Sequence, residues 1–133
     1  MGFDQYHEPP DELPEQTRTF ARLCASLTEE AEAIGWYEQR LAVEQDPEAK
    51  AVMSDAVGEE YKHFSMDLEF LLRRTPKWRQ IAKGVLFQEG DIVEHGEAAE
   101  AAADDDGDEG SSAPPPAITG GSLGIGSLRG EGL

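Results

Sequence analysis

The stretch "GEEYKHFSMD", residues 58–67, places Glu60 and His63 three positions apart among residues that otherwise have the pattern of a packed helix. Side chains at i and i+3 lie on the same face of a helix. A carboxylate and an imidazole on an inward face are unfavourable unless they bind something. Because no thiolate accompanies them, they favour a hard or borderline ion such as iron or manganese over a cysteine-rich zinc site.

A second inward carboxylate, Glu30, falls on the preceding predicted helix. Residues there recur at intervals of three and four, the spacing of one seam of a packed helix, at positions 20, 23, 27, 30, 34, 37 and 41. The next helix has the same spacing at positions 49, 53, 56, 60, 63, 67 and 70. Glu30, Tyr37, Glu60 and His63 thus occupy positions where apolar residues are expected.

The lengths of the two helices predict that these groups meet. Glu30 lies 15 residues before Gln45 and Glu60 lies 15 residues after it. If the chain turns there into an antiparallel hairpin, a rise of about 1.5 Å per residue puts both carboxylates at one height, roughly 22 Å from the turn. His63 follows one turn later on the same side.

The three groups are half of a known type of binuclear site. A di-iron carboxylate bundle takes a Glu from each of two helices and a Glu-x-x-His pair from each of two others. Two copies of this chain around a two-fold axis would supply the full set. The sequence therefore predicts a homodimer that shares a di-iron centre, with Glu30, Glu60 and His63 from each copy.

The same residues have a less specific interpretation. Glu-x-x-His arises by chance in acidic helices, and "EEAE" at 29–32 is typical of a solvated helix face. Trp36, Tyr37 and Tyr61 are ordinary packing residues on this interpretation. The matched heights and spacing of the set favour the metal site.

The elements that must position the set are helical, and we predict an all-α fold. One helix is expected from about Asp11 to Glu44. A second should run from Pro47, capped by Asp46, to about Arg74, and a short third from Pro76, capped by Thr75, to about Gln88. The fold class is an antiparallel two-helix hairpin with a short third helix, and two hairpins would dimerise into a four-helix bundle.

The composition changes after about Val93. We predict a helical domain at 1–93 and a linker at 94–121, which has few large apolar residues and is expected to be disordered. A tail at 122–133 follows, in which Leu123, Ile125 and Leu128 alternate with small residues.

Charge and composition exclude several functions. The net charge of −17 disfavours nucleic acid and anionic membranes as partners. No stretch approaches the roughly 18 apolar residues of a membrane span. The single cysteine, Cys24, falls on an apolar stripe and indicates a reducing compartment, so we expect a soluble cytoplasmic protein.

With these motifs in place, the sequence resembles the encapsulated ferritins, cargo proteins of encapsulin shells. The resemblance is carried by "EEAEAIGWYEQR" at 29–40, "DPE" at the turn, "EEYKH" at 59–63 followed by "MDLEFLLRR", and "KWRQ" at the start of helix 3. It implies a ferroxidase that oxidises Fe(II) to Fe(III) for iron storage. The site would lie at a homodimer interface, and dimers would assemble into a ring of five, a homodecamer.

The resemblance also implies roles for individual residues. Glu30, Glu60 and His63 match the iron ligands of the family, with Tyr37 beside the metal. Glu29 and Glu32 match carboxylates on the path by which metal reaches the site, and Trp36 matches an aromatic residue near that path.

The tail segment "SLGIGSLR" at 122–129 resembles an encapsulin-targeting peptide. In such peptides, apolar anchors dock in a groove on the inner wall of the shell, and here the anchors would be Leu123, Ile125 and Leu128. The resemblance implies an encapsulin shell protein as a partner, with the protein located inside that nanocompartment.

Two other functions fit the sequence less well. One is a non-catalytic acidic helical adaptor or cargo protein that binds metal only structurally. The other is an oxygen- or peroxide-processing di-iron enzyme of rubrerythrin type, which is disfavoured because the chain has no cysteine-rich electron-transfer site.

Overall fold

A computed structural model describes residues 6–107, and within that range the protein is entirely helical. A short 3-10 turn, Pro10–Glu12, precedes four α-helices: α1 (Glu15–Val43), α2 (Pro47–Arg74), α3 (Pro76–Val85) and α4 (Ile92–Gly107). Residues 6–107 contain no β-strand, so the predicted all-α class is confirmed.

The long helices α1 and α2 form the predicted hairpin. They are joined by Glu44–Asp46, which centres the turn on Gln45. Asp46 caps α2 as expected, because its carboxylate accepts a hydrogen bond of 2.9 Å from the backbone N–H of Ala49. Pro47 then occupies the first helical position, where a missing N–H does no harm.

The start of α1 differs from the predicted one. The helix begins at Glu15 and not at Asp11, and Asp11 belongs to the preceding 3-10 turn. The reason is Pro14, which disfavours a helical conformation at Leu13. Leu13 is accordingly extended, with φ −86° and ψ 133°.

Helix α3 is shorter than predicted. It begins at Pro76, as expected, but Thr75 makes no side-chain capping bond, and the helix ends at Val85 rather than near Gln88. Leu86 is extended, and Phe87 takes a left-handed φ of 62° with its side chain fully exposed. These two residues therefore lie outside the helix to which the sequence assigned them.

Helix α4 corrects the expectation that the chain loses regular structure after Val93. Residues 94–107 continue as a helix that packs on α3. Its contact surface consists of small residues: Ala99 and Ala103 are buried, and Ala99 lies so close to Gly84 that a Cβ there would come within 2.5 Å. Few large apolar residues did not prevent packing, because alanine favours helix formation and allows close approach.

Polar contacts add to the α3–α4 pairing. Lys77 forms an ion pair with Asp104, and the Gln80 amide donates a hydrogen bond of 2.6 Å to Asp106.

The proposed division into a domain at 1–93, a linker at 94–121 and a tail at 122–133 stays a prediction. Residues 108–133, including Leu123, Ile125 and Leu128, lie outside the described residues.

The hairpin buries very little in a single chain. In α1 and α2 the buried residues are Ala25, Val57, Leu71 and Leu72. The α1 seam predicted to face inward is only partly buried along its whole length, at Phe20, Leu23, Leu27, Glu30, Ile34, Tyr37 and Leu41. Within residues 6–107, no helix has the length and hydropathy needed to cross a membrane.

Candidate metal centre

The structure brings Glu30, Glu60 and His63 together at one height of the hairpin. Glu30 comes from α1, and the other two come from successive turns of α2. One oxygen of each carboxylate and one ring nitrogen of His63 all lie within 4.8 Å of one another. Glu30 and Glu60 are equally far from the turn, and their carboxylates lie close together as the sequence predicted.

His63 stands close to both carboxylates without a hydrogen bond to either. His63 Nδ1 is 3.6 Å from a Glu60 oxygen and 3.9 Å from a Glu30 oxygen, both beyond hydrogen-bonding distance. Glu30 and Glu60 are about four-fifths buried, whereas the His63 side chain is 46% exposed. The three side chains therefore form a partly open cluster of possible metal ligands, and the imidazole lies on the exposed side of this cluster.

The two carboxylates repel each other. The pKa of Glu30 is raised to about 7. The causes, in order, are the hydrogen bond that a protonated Glu30 can share with Glu60, its partial burial, and the negative charge of Glu60. His63 opposes the rise, and Asp67 adds a smaller repulsion. A cation bound between the two carboxylates would offset their repulsion and would favour the deprotonated form of Glu30.

The donor set fits iron on chemical grounds. Two carboxylates and one imidazole without thiolate suit a hard or borderline ion. Because a carboxylate must lose its proton to bind metal, a Glu30 with a raised pKa should release protons as metal binds. Residues 6–107 contain no other group of three such side chains close enough to hold an ion.

The other predicted residues of the site all lie on α1. Tyr37 is half-buried on α1, two turns beyond Glu30, and the Arg40 guanidinium lies 5.3 Å from the centre of its ring. Glu29, Glu32 and Trp36 are exposed on α1, in contrast to Glu30, which is about four-fifths buried. None of these four belongs to the Glu30–Glu60–His63 group.

Sequence reasoning missed Asp67. It is the next seam position after His63, and its charge reaches Glu30. Its Oδ2 atom has no access to solvent and no hydrogen-bond partner within residues 6–107. The signal was present, since an acidic residue on an inward seam is as unusual as Glu60 itself.

The raised pKa of Glu30 predicts a stability that falls as pH rises. Between about pH 4.5 and 7 the folded, metal-free protein holds a proton that the unfolded chain has released, so raising the pH destabilises the fold. Above about pH 7 the penalty is fully present. We expect metal-free Glu30→Gln to be more stable than the parent at pH 8 by on the order of 1–3 kcal/mol, with little difference near pH 4.

Urea titrations at both pH values measure this difference. Glu38→Gln is the matched control, because Glu38 is an exposed carboxylate on the same helix. A Glu30→Gln protein that is less stable than the parent at pH 8 would contradict the repulsion described here.

The profile of the EncFtn-like family matches residues 5–89. Among curated proteins, an "Encapsulated ferritin-like protein" from Rhodospirillum rubrum is 42% identical over 127 residues, covering 94% of this chain and 88% of that protein. A "Ferritin-like protein" from Thermotoga maritima is 35% identical over 125 residues, covering 94% of this chain and 98% of the other.

A solved structure is also similar. The crystal structure of a protein from Nitrosomonas europaea matches with a TM-score of 0.66 and 38% sequence identity. The match covers 68% of this chain and 99% of that one. The helical fold described above is thus shared with an experimental structure over most of its length.

Proposed function

The chain belongs to the EncFtn-like family, and on that premise we propose that it is a ferroxidase that oxidises Fe(II) to Fe(III) at a di-iron centre shared by two copies of the chain. The single observation that carries the proposal is the convergence of Glu30, Glu60 and His63 within 4.8 Å. This set is half of the ligands that a di-iron carboxylate bundle requires.

The burial pattern favours a second copy. The α1 seam is only partly buried along its whole length, and α2 seam residues such as Met53 and Phe70 are likewise only partly covered. A hairpin that exposes its inward seams needs another apolar surface to cover them. A two-fold axis through the level of Glu30 and Glu60 would close both seams and bring the two half-sets of ligands together.

In the proposed mechanism, Glu30, Glu60 and His63 of each copy would hold the iron ions. Iron held there would give up electrons to an acceptor such as dioxygen or peroxide. Glu30 releases its proton when iron binds and regains one when iron leaves, since the neighbouring Glu60 favours its protonated form in the empty site. The turnover of iron is thereby coupled to proton release.

We further propose that Glu29 and Glu32 attract cations toward the site and that Trp36 lies beside their path. All three are exposed on α1, as a path from solvent requires. Tyr37 is proposed to lie beside the iron. Because side chains of α-helices lean toward the helix N-terminus, we expect the Tyr37 ring to point back along α1 in the direction of Glu30.

The proposed setting is the interior of an encapsulin shell, where the shell would store the Fe(III), with the dimers assembled into a ring of five. The relative from Rhodospirillum rubrum is named an encapsulated ferritin-like protein, and its alignment covers 94% of this chain, so it reaches past residue 107. The tail segment with Leu123, Ile125 and Leu128 is the proposed anchor in the shell.

The test of the proposed reaction is aerobic addition of Fe(II) to the purified protein, followed by the absorbance of Fe(III). Oxidation well above the buffer rate, at two iron ions per dimer in the first fast phase, supports the ferroxidase. A rate equal to that of buffer would instead indicate an adaptor that binds metal without catalysis.

Deletion of the tail should separate packaging from catalysis. We expect removal of residues 122–133 to abolish co-purification with a co-expressed encapsulin shell and to leave the rate of Fe(II) oxidation unchanged. A triple substitution of Leu123, Ile125 and Leu128 by Ser should have the same effect, because it removes the apolar anchors and keeps the length. Packaging that survives both changes would rule out the tail as the anchor.

A further inference from the structure

The Asp67 carboxylate has an unsatisfied polar oxygen inside the hairpin. Its Oδ2 atom is shielded from solvent and has no hydrogen-bond partner within residues 6–107. A buried carboxylate oxygen without a donor is strongly unfavourable. Asp67 also follows His63 by one helical turn on the inward seam, so its position is next to the proposed metal centre.

Within residues 6–107, no donor of the same chain bonds to the Asp67 Oδ2 atom. Three cationic side chains of α2 are engaged elsewhere. Lys62 pairs with Glu59, and Arg73 pairs with Glu69. The Arg74 guanidinium lies over the Phe70 ring. Arg79 of α3 also pairs with Glu69. The Tyr37 of the same chain lies 8 residues from Gln45 while Asp67 lies 22 residues from it, which separates their backbones by about 21 Å along the hairpin.

A two-fold axis changes which residues share a height. The proposed axis would lie level with Glu30 and Glu60 and would invert the second hairpin. Asp67 is seven residues beyond Glu60, away from the turn, and Tyr37 is seven residues beyond Glu30, toward the turn. The inversion therefore brings Asp67 of one copy level with Tyr37 of the other.

The layer so formed contains one other polar group besides Asp67. Its four inward positions are Leu23 and Asp67 from one copy and Tyr37 and Met53 from the other. The phenol is the only hydrogen-bond donor among these side chains. On both helices the side chains lean toward the helix N-terminus, which at Tyr37 and at Asp67 is the direction of the metal centre.

We propose that Asp67 accepts a hydrogen bond from the Tyr37 hydroxyl of a second copy of the chain, an arrangement that occurs twice in the dimer. The inference rests on the proposed dimer and extends it, because it makes Asp67 a positioning residue. The carboxylate holds the phenol of the other copy beside the iron site. It also explains why a carboxylate occupies an inward position one turn past the ligands.

Mixing two variants tests whether the contact crosses between copies. In homodimers of Tyr37→Phe, both Asp67 groups lack their donor, and in homodimers of Asp67→Ala, both phenols lack their acceptor. A mixed dimer keeps one intact pair and removes both groups of the other pair. We expect native mass spectrometry of the mixture in Mn(II), which supports dimers without oxidation, to show heterodimers about tenfold above the statistical ratio, as for a hydrogen bond to a charged group.

The control mixture combines Tyr37→Phe with Asp55→Ala, since Asp55 is an exposed aspartate on α2, the helix that carries Asp67. This mixture should give the statistical ratio. A statistical ratio in the Tyr37→Phe and Asp67→Ala mixture would overturn the proposed contact.

A spectroscopic measurement tests the same bond in the intact dimer. With 13Cζ-labelled tyrosine, the Tyr37 signal is identified by its loss in Tyr37→Phe. We expect this signal to shift in Asp67→Ala and to remain in place in Asp55→Ala. Asp67→Asn keeps an acceptor oxygen and should give an intermediate position, and it serves if Asp67→Ala does not fold.

The outcomes distinguish this inference from the proposed function. An unmoved Tyr37 signal in an Asp67 variant that remains dimeric overturns the contact, even if the parent protein oxidises Fe(II) rapidly. Conversely, a shifted signal in a dimer that oxidises no iron supports the contact and contradicts the ferroxidase.

Discussion

Replacing Glu30 with alanine is expected to reduce the rate of Fe(II) oxidation by more than about 100-fold while leaving the helices intact. Glu30 is the contribution of α1 to the donor group, and without it Glu60 and His63 are left on a single helix. Loss of the carboxylate also removes a repulsion, so the metal-free variant should not unfold. Stopped-flow absorbance after aerobic Fe(II) addition measures the rate, and circular dichroism measures the helix content.

The matched control for this prediction is Glu38→Ala. It removes a carboxylate from the same helix and changes the net charge equally, but Glu38 is exposed and is not part of the donor group. It should oxidise Fe(II) at the parent rate. If Glu30→Ala also retains the parent rate, the role assigned to Glu30 is wrong.

Divalent metal is expected to drive self-association of the chain. Without metal, a dimer would concentrate four carboxylates, and their repulsion is already visible in the single chain, where the pKa of Glu30 is raised to about 7. At a free metal concentration about 100 times its Kd, each bound ion strengthens association about 100-fold. Two ions that bind the dimer and not the single chain should therefore strengthen dimerisation by about 10,000-fold.

Sedimentation velocity in Mn(II), compared with chelator, measures this effect without oxidation. Glu60→Ala and His63→Ala should remove the response to metal. Glu59→Ala should retain it, because Glu59 is an exposed neighbour of Glu60 that pairs with Lys62. Equally strong dimers with and without chelator would show that metal does not hold the interface together.

These two predictions distinguish a ferroxidase from an adaptor that binds metal without catalysis. An adaptor could show the metal-dependent association, since it needs only the donor group. It would not show the loss of oxidation in Glu30→Ala, because it would have no oxidation to lose. The two experiments are therefore informative as a pair.

Much of the hairpin was predictable because its signals are local. Asp46 and Pro47 define the start of α2 through a capping hydrogen bond and a fixed φ, and both effects act within a few residues. The seams were also legible, since the spacing of three and four residues follows from helix geometry alone. The meeting of Glu30 with Glu60 then required only equal distances from the turn.

Other features were not predictable from local signals. The sequence suggested an irregular chain after Val93, but α4 packs on α3 with Ala99 in close approach to Gly84 and with Ala103 buried. That complementarity involves residues far apart in the chain. The end of α3 at Val85 was likewise missed, since no proline marks it and Leu86 simply becomes extended.

The sequence by itself determined the helical class, the turn and the residues of the Glu30–Glu60–His63 group, because period, caps and residue chemistry are properties of short segments. Only the tertiary structure decided that Glu30 and Glu60 lie close enough to raise a pKa, that His63 stays on the open side, and that an oxygen of Asp67 is shielded without a donor. The physical reason is that distance and solvent access depend on how two helices pack, and packing is settled by side chains remote in sequence.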